Sequence, residues 1–185
     1  MHIRLEDKFH LASGGARDVY FHPENERLCI KIQRVNGTQN LNEEFFYKKQ
    51  REGINILPKY IGNIKTNLGV GLVVELIRDF DGEVSKPLSY YINNNIITLD
   101  AAKSYIQEIA NEVIDKKILL HDGGLQNILL KKTGKDLFQP MLVDGFGAKN
   151  NSLKYMLRTM LPILSVKKSK KQIKIMMNDK CFRDV

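Results

Sequence analysis

The chain has 185 residues, 43% hydrophobic and 27% charged, and its 29 Lys and Arg against 21 Asp and Glu give a formal net charge of +8. This composition predicts a globular body of one domain, or of two small lobes, and excludes a disordered chain, because the apolar content suffices for a core. Cys29 and Cys181 alone cannot build a disulfide framework or a four-ligand zinc site. Cys29, between Leu28 and Ile30, reads as a small buried hydrophobe. Met1–Asp7 has no apolar core of signal-peptide length, and no apolar run approaches about 18 residues. A cytoplasmic protein is therefore expected, with attachment to the inner membrane surface left open. The excess charge is local: residues 1–149 carry 20 Lys and Arg against 19 Asp and Glu, a sum of +1. Residues 150–185 carry 9 against Asp179 and Asp184, a sum of +7.

In chain order, Val19–Phe21 and Leu28–Ile32 predict a hairpin around the turn-rich His22-Pro23-Glu24-Asn25. Residues 41–52 lack Gly and Pro, and Leu41, Phe45 and Lys48-Lys49 fit a short helix with its charges outside. Tyr60–Lys65 and Val70–Ile77 predict a second strand pair turned at Thr66–Gly69. Residues 79–97 are polar and read as a connection. Asp100 is a good helix N-cap, and Ile106, Ala110 and Val113 then carry a helical period to about residue 118. Ile118–Leu120, Ile128–Leu130 and Met141–Val143 read as short strands, and the remainder as helix interrupted by Pro162. The expected boundaries are 1–78, 79–149 and a basic helical segment 150–185.

Four separated pieces carry the chemistry. Ala12-Ser13-Gly14-Gly15-Ala16-Arg17-Asp18-Val19 is a glycine turn entering a strand. Lys31 lies inside an apolar strand. His121-Asp122-Gly123-Gly124-Leu125-Gln126-Asn127 and Asp144-Gly145-Phe146-Gly147 follow. Singly, each has an ordinary reading as a turn or a solvent-facing lysine. Their joint order is the one phosphoryl transfer needs, since that reaction depends on positioning and charge neutralisation. Gly14 and Gly15 let amides approach phosphates, with Val19 closing the frame. Lys31 holds phosphates and takes a helix glutamate, Glu44 or Glu43, as partner. Asp122 orients an attacking hydroxyl, and Asn127 and Asp144 bind metal. Val73–Ile77, with Glu75 and Ile77, falls where backbone groups would meet adenine. Arg17 either contributes charge to the phosphates or caps its strand.

Val19-Tyr20-Phe21-His22-Pro23-Glu24 with Cys29-Ile30-Lys31-Ile32, together with Asp79-Phe80-Asp81-Gly82 and Gln126-Asn127-Ile128-Leu129, resembles the YrbL family. These bacterial proteins are named for a member of the PhoP regulatory network and belong to the protein-kinase-like superfamily. The resemblance runs from about Leu11 to Gly147. It implies an α+β fold of two lobes, an antiparallel-sheet N-lobe with one helix and a minimal, mostly helical C-lobe, with ATP and Mg2+ between them. It brings no substrate.

Departures from the protein-kinase pattern are informative. Ala12 and Arg17 replace the first and third glycines of the loop. His121 replaces the arginine before the catalytic Asp, and Gly124 a lysine. Asp144-Gly145-Phe146 stands for Asp-Phe-Gly, and no Ala-Pro-Glu follows. These features favour a small-molecule, sugar or lipid-type phosphoryl acceptor over a peptide, or alternatively a pseudokinase or nucleotide-responsive regulatory module. In the C-terminal segment, Met156, Met160, Leu161, Ile163 and Leu164 are expected to pack inward. Lys167, Lys168, Lys170 and Lys171 form either a solvated face or a site for an anionic membrane surface or other anionic partner. That makes a basic adaptor the third reading. Nucleic acid is disfavoured, because no aromatic residues are interleaved there.

Overall fold

The computed structural model describes residues 2–34, 37–49, 54–150 and 152–182, without the side chains of Met156 and Thr159. The expected helix end at residues 50–52 and the packing of Met156 lie outside the described residues. Two units emerge, Met1–Gly53 with Pro58–Leu76, and Ile54–Leu57 with Ile77–Val185. Residues 150–182 belong to the second unit and do not stand as a segment of their own.

The first unit is a six-stranded sheet of β1 (His2–Ile3), β2 (His10–Ser13), β3 (Arg17–Phe21), β4 (Leu28–Gln33), β5 (Tyr60–Thr66) and β6 (Gly69–Glu75), with helix α1 (Gln39–Lys49). The order is β1-β5-β6-β4-β3-β2, antiparallel except where β1 joins β5. Strand β4 is central, and its side chains alternate between faces. Ile30 and Ile32 join Ile3, Leu5 and Val73 in a buried cluster, flanked by Tyr20, Leu28 and Ile64. The opposite face carries Cys29 and Lys31, with Val19 opposite Lys31 on β3.

Helix α1 packs against β4, β5 and β6, but not through the apolar residues expected. Leu41 and Phe45 are about 60% exposed, whereas Glu43 is buried. The reason is electrostatic. The sheet face it covers bears two cations, Arg17 and Lys31, so the helix turns a carboxylate inward.

The second unit holds a three-stranded sheet, β7 (Lys86–Pro87), β8 (Ile128–Lys132) and β9 (Phe138–Leu142), in the order β7-β8-β9. Its helices are α2 (Leu88–Asn93), α3 (Leu99–Asp115), α4 (Leu153–Met160) and α5 (Pro162–Met177). Helix α2 occupies the supposed connection, burying Leu88, Tyr91 and Ile92. Helix α3 buries Ala102, Ile106, Ile109, Ala110 and Val113, the expected stripe. Its N-cap is Thr98, whose hydroxyl accepts from the Ala101 N–H at 3.1 Å; Asp100 instead sits in the first turn, complementing the helix dipole.

Helix α5 corrects the reading of the C-terminal segment. Met160, Leu161, Ile163 and Leu164 are exposed, and the buried face is Ser165, Ser169, Gln172 and Met176. Ser165 and Ser169 face inward and serve backbone groups, Ser165 donating to the Arg158 carbonyl. Ile118–Leu120 is buried, yet among the described residues it makes only one strand bridge, Leu120 to Phe146. The Ser169 hydroxyl accepts from the Leu120 N–H at 2.9 Å and donates toward the Ile118 and Ser165 carbonyls at 2.7 and 2.9 Å. A helix hydroxyl thus takes the place of a neighbouring strand. Losing it strands buried backbone groups, each worth about 1–3 kcal/mol. Ser169→Val is therefore expected to lower the unfolding free energy by about 2 kcal/mol or more. Denaturant unfolding checks this, and an unchanged midpoint would contradict the assignment.

Candidate active site

In the first unit, strand geometry puts Arg17 and Lys31 on one face of the sheet, and α1 delivers Glu43 between them. The Lys31 ammonium donates to Glu43 Oε1 at 2.6 Å and the Arg17 guanidinium to Glu43 Oε2 at 2.6 Å. All three residues are at most 5% exposed. Asn40, one turn earlier on α1, accepts from Arg17 at 3.2 Å and donates to the Lys31 carbonyl at 2.9 Å. Two cations thus meet one carboxylate, each through its own oxygen. Arg17 turns to Glu43 and braces it.

Glu44, the other acid offered to Lys31, points elsewhere. It bonds Lys48 at 2.5 Å and Tyr60 Oη at 3.3 Å, and the Lys48 bond holds its carboxyl below the usual range. Cys29 shares the Lys31 face, and burial pushes its thiol up to about 11, keeping it protonated and inert.

Gly14 and Gly15 form the exposed turn between β2 and β3, closed by a Gly14 N–H to Arg17 carbonyl bond at 2.7 Å. The Arg34 guanidinium donates to both glycine carbonyls and lies 3.7 Å from Asp18. This second cation at the turn was not singled out from the sequence, since nothing local distinguishes an arginine after a strand. At the end of β6, the Glu75 N–H bonds the Lys59 carbonyl at 2.8 Å, the Leu76 N–H the Arg27 carbonyl at 2.8 Å, and the Ile77 carbonyl the Ser85 N–H at 3.1 Å. A base meeting Glu75 or Ile77 would have to use their other backbone groups.

In the second unit the loop at 121–127 folds back through one turn. The Gly124 N–H bonds Asp122 Oδ1 at 3.1 Å, and the Asn127 N–H bonds the Gly124 carbonyl at 3.1 Å. Asp122 is exposed and Asn127 is buried. The Gly145 carbonyl accepts from the His121 and Asp122 N–H groups at 2.8 and 3.2 Å, joining this loop to Asp144-Gly145. Gly145 has φ +83°, and a Cβ there would lie 2.7 Å from the Asp122 carbonyl and 2.9 Å from Asn127 Nδ2. The Asp-Gly-Phe order therefore has a steric cause: only glycine fits directly after Asp144. Gly123 is bound from the other side, since its Cβ would lie 2.5 Å from the Gln172 carbonyl of α5. The basic helix thus backs the loop that presents Asp122.

The Asn127 side-chain amide is buried, and its Nδ2 has no hydrogen-bond partner among the described residues. An orphaned amide beside Asp144 fits a cation ligand, because turning the amide over would present its oxygen. No group of three or more His, Cys, Asp or Glu side chains converges among the described residues. Magnesium suits such a sparse set, as it takes one or two protein oxygens and completes its shell with water and phosphate. The residues present therefore fit it.

The lysine held by a helix carboxylate on a sheet, followed by a helical unit carrying the Asp122 loop and Asp144, defines a protein-kinase-like domain. A crystal structure of a kinase domain matches with a TM-score of 0.61 at 17% identity, covering 91% of this chain and 61% of that one. The chain spans about three-fifths of that kinase domain's length, and the likeness is one of fold. The chain belongs to the family of the PhoP regulatory network protein YrbL, whose family model matches residues 3–181. Similar relatives are the YrbL proteins of Escherichia coli (strain K12) and Shigella flexneri. Each is 27% identical over 154 residues, 78% of this chain and 73% of the relative.

Removing one member of a buried ion pair costs about 3–5 kcal/mol, because the remaining charge stays buried. Glu43→Ala is expected to destabilise the protein by about 3 kcal/mol or more, whereas Glu44→Ala leaves the melting temperature nearly unchanged. Thermal unfolding of the two variants checks the assignment, and the reverse ranking would overturn it.

Proposed function

We propose that this protein is an ATP- and magnesium-dependent phosphotransferase whose acceptor is a small molecule, sugar or lipid-type hydroxyl, not a peptide. The observation that carries the reading is the formed Lys31–Glu43 pair, 2.6 Å long and buried. A kinase-like site needs this pair in place before its lysine can hold phosphates. Lys31 is the phosphate arm, positioned by Glu43, which Arg17 in turn braces. Asp122 accepts the proton of the acceptor hydroxyl. Asn127 and Asp144 hold the cation. Magnesium, when bound, neutralises the charge that develops on the phosphoryl oxygens.

The acceptor class is supported by the short span that follows Gly147. Residues 148–152 alone separate Gly147 from α4. So short a span leaves little chain between Asp144 and α4 for a peptide platform, which supports an acceptor met by a small surface around Asp122.

A second reading, a nucleotide-responsive regulatory module, is favoured by one feature. The turn Gly14-Gly15 is a tight hairpin whose Gly14 amide is already bonded and whose carbonyls are held by Arg34. Such a turn offers phosphates few free amides. Under that reading nucleotide binds and no transfer follows.

Calorimetric titration with ATP tests the assignments. Binding is expected to require magnesium and to weaken about tenfold to a hundredfold in Lys31→Ala, the range of one charge-assisted hydrogen bond. Asp144→Ala is expected to remove the magnesium dependence, and Asp122→Asn to bind as the wild type does. ATP binding that ignores both Lys31→Ala and magnesium would contradict the proposal.

A further inference from the structure

Helix α4 and its junction with α5 carry apolar residues that the fold leaves in solvent. Leu153 is 66% exposed, Met160 65% and Ile163 82%. Leu157, Leu161 and Leu164 are exposed as well. Spacings of four and three place Leu153, Leu157 and Met160 along one face of α4, and Leu161 follows in the extended junction. A contiguous apolar stripe of this kind marks a contact surface.

Its surroundings are cationic. From Gly145 to Asn178 the chain contains eight Lys and Arg and no Asp or Glu. Lys149, Lys154, Arg158 and Lys171 lie near enough to Lys168 that their charges, after partial burial, hold its ammonium below the usual range. Arg158 also covers the Tyr155 ring, 5.4 Å from its centroid. Exposed leucine, isoleucine and methionine beside cations that make no ion pair among the described residues match the two-part chemistry of an anionic bilayer surface. A second copy of this chain would bring its own cations against the patch, and a nucleic acid would leave the apolar stripe unused.

We propose that α4 and the α4–α5 junction dock on an anionic lipid bilayer, with the apolar stripe entering the headgroup region and the surrounding cations meeting lipid phosphates. This surface shares no residue with those assigned to phosphoryl transfer and stands whether or not that assignment does. Removing the lysine-rich segment is not a usable test, because Ser169 and Gln172 hold the loop of the second unit. Exposed side chains of the full chain are substituted instead.

Flotation with phosphatidylcholine vesicles, with and without about a third phosphatidylglycerol, reads the binding. Retention by the anionic vesicles alone is expected. Met160→Ser with Ile163→Ser should weaken it about tenfold, and Lys154→Glu with Lys171→Glu by at least as much. Added salt should weaken the wild type more than the charge-reversed variant. Thermal unfolding confirms that both variants fold. No retention, equal retention on neutral vesicles, or retention unchanged in both variants would overturn the proposal. So would self-association in sedimentation that disappears with Ile163→Ser, which would make a second copy the occupant.

Discussion

Two cations buried on one face of a sheet need anionic company, and Glu43 reaches both of them. Its two oxygens are divided between Lys31 and Arg17, each at 2.6 Å. The arrangement of the first unit follows from this. Helix α1 lies over β4 with its acid inward and Leu41 and Phe45 outward. Asn40 adds a second tie from the same helix face to Arg17 and to the β4 backbone.

The second unit depends on a different economy: side chains stand in for missing strands. Its sheet has three short strands, and several buried backbone groups therefore lack a ladder partner. Ser169 serves the Ile118–Leu120 segment from α5. Asp79, 7% exposed, accepts from Ser85 Oγ at 2.5 Å and from the Lys132 N–H at 2.9 Å, fixing the Asp79–Gly82 turn against the end of β8. Gly145 gives its carbonyl to two successive amides of the Asp122 loop. These polar staples align Asp122, Asn127 and Asp144 in a unit with little sheet to do so. Among the described residues no helix is long and apolar enough to cross a membrane.

Much of this was legible in the sequence where one residue's pattern speaks for itself. The hairpins, the α3 stripe and the positions of Lys31, Asp122, Asn127 and Asp144 follow from strand alternation, helical period and spacing. What escaped depends on partners distant along the chain. Glu43 and Glu44 are adjacent acids, and only the register of α1 over the sheet selects between them. The bond from Arg17 to Glu43 was not legible, because the two residues lie 26 apart in the chain. The inward face of α5 is small and polar, so hydropathy pointed to its opposite side. Helix α2 was hidden by its shortness and its polar flanks. The replacement of Asp-Phe-Gly by Asp-Gly-Phe was visible, but its cause was not until the Asp122 carbonyl was found where a Cβ would lie.

The central claim is that Asp122 acts on an acceptor hydroxyl in a transfer of phosphoryl from ATP. The most direct measurement incubates the purified chain with γ-labelled ATP, magnesium and a small-molecule extract of bacterial cells, and follows label into new species. Label is expected to enter a small-molecule acceptor with the wild type and to fall to background with Asp122→Asn, whose carboxamide cannot take the proton. No labelled acceptor with the wild type, or equal labelling by Asp122→Asn, would contradict the account.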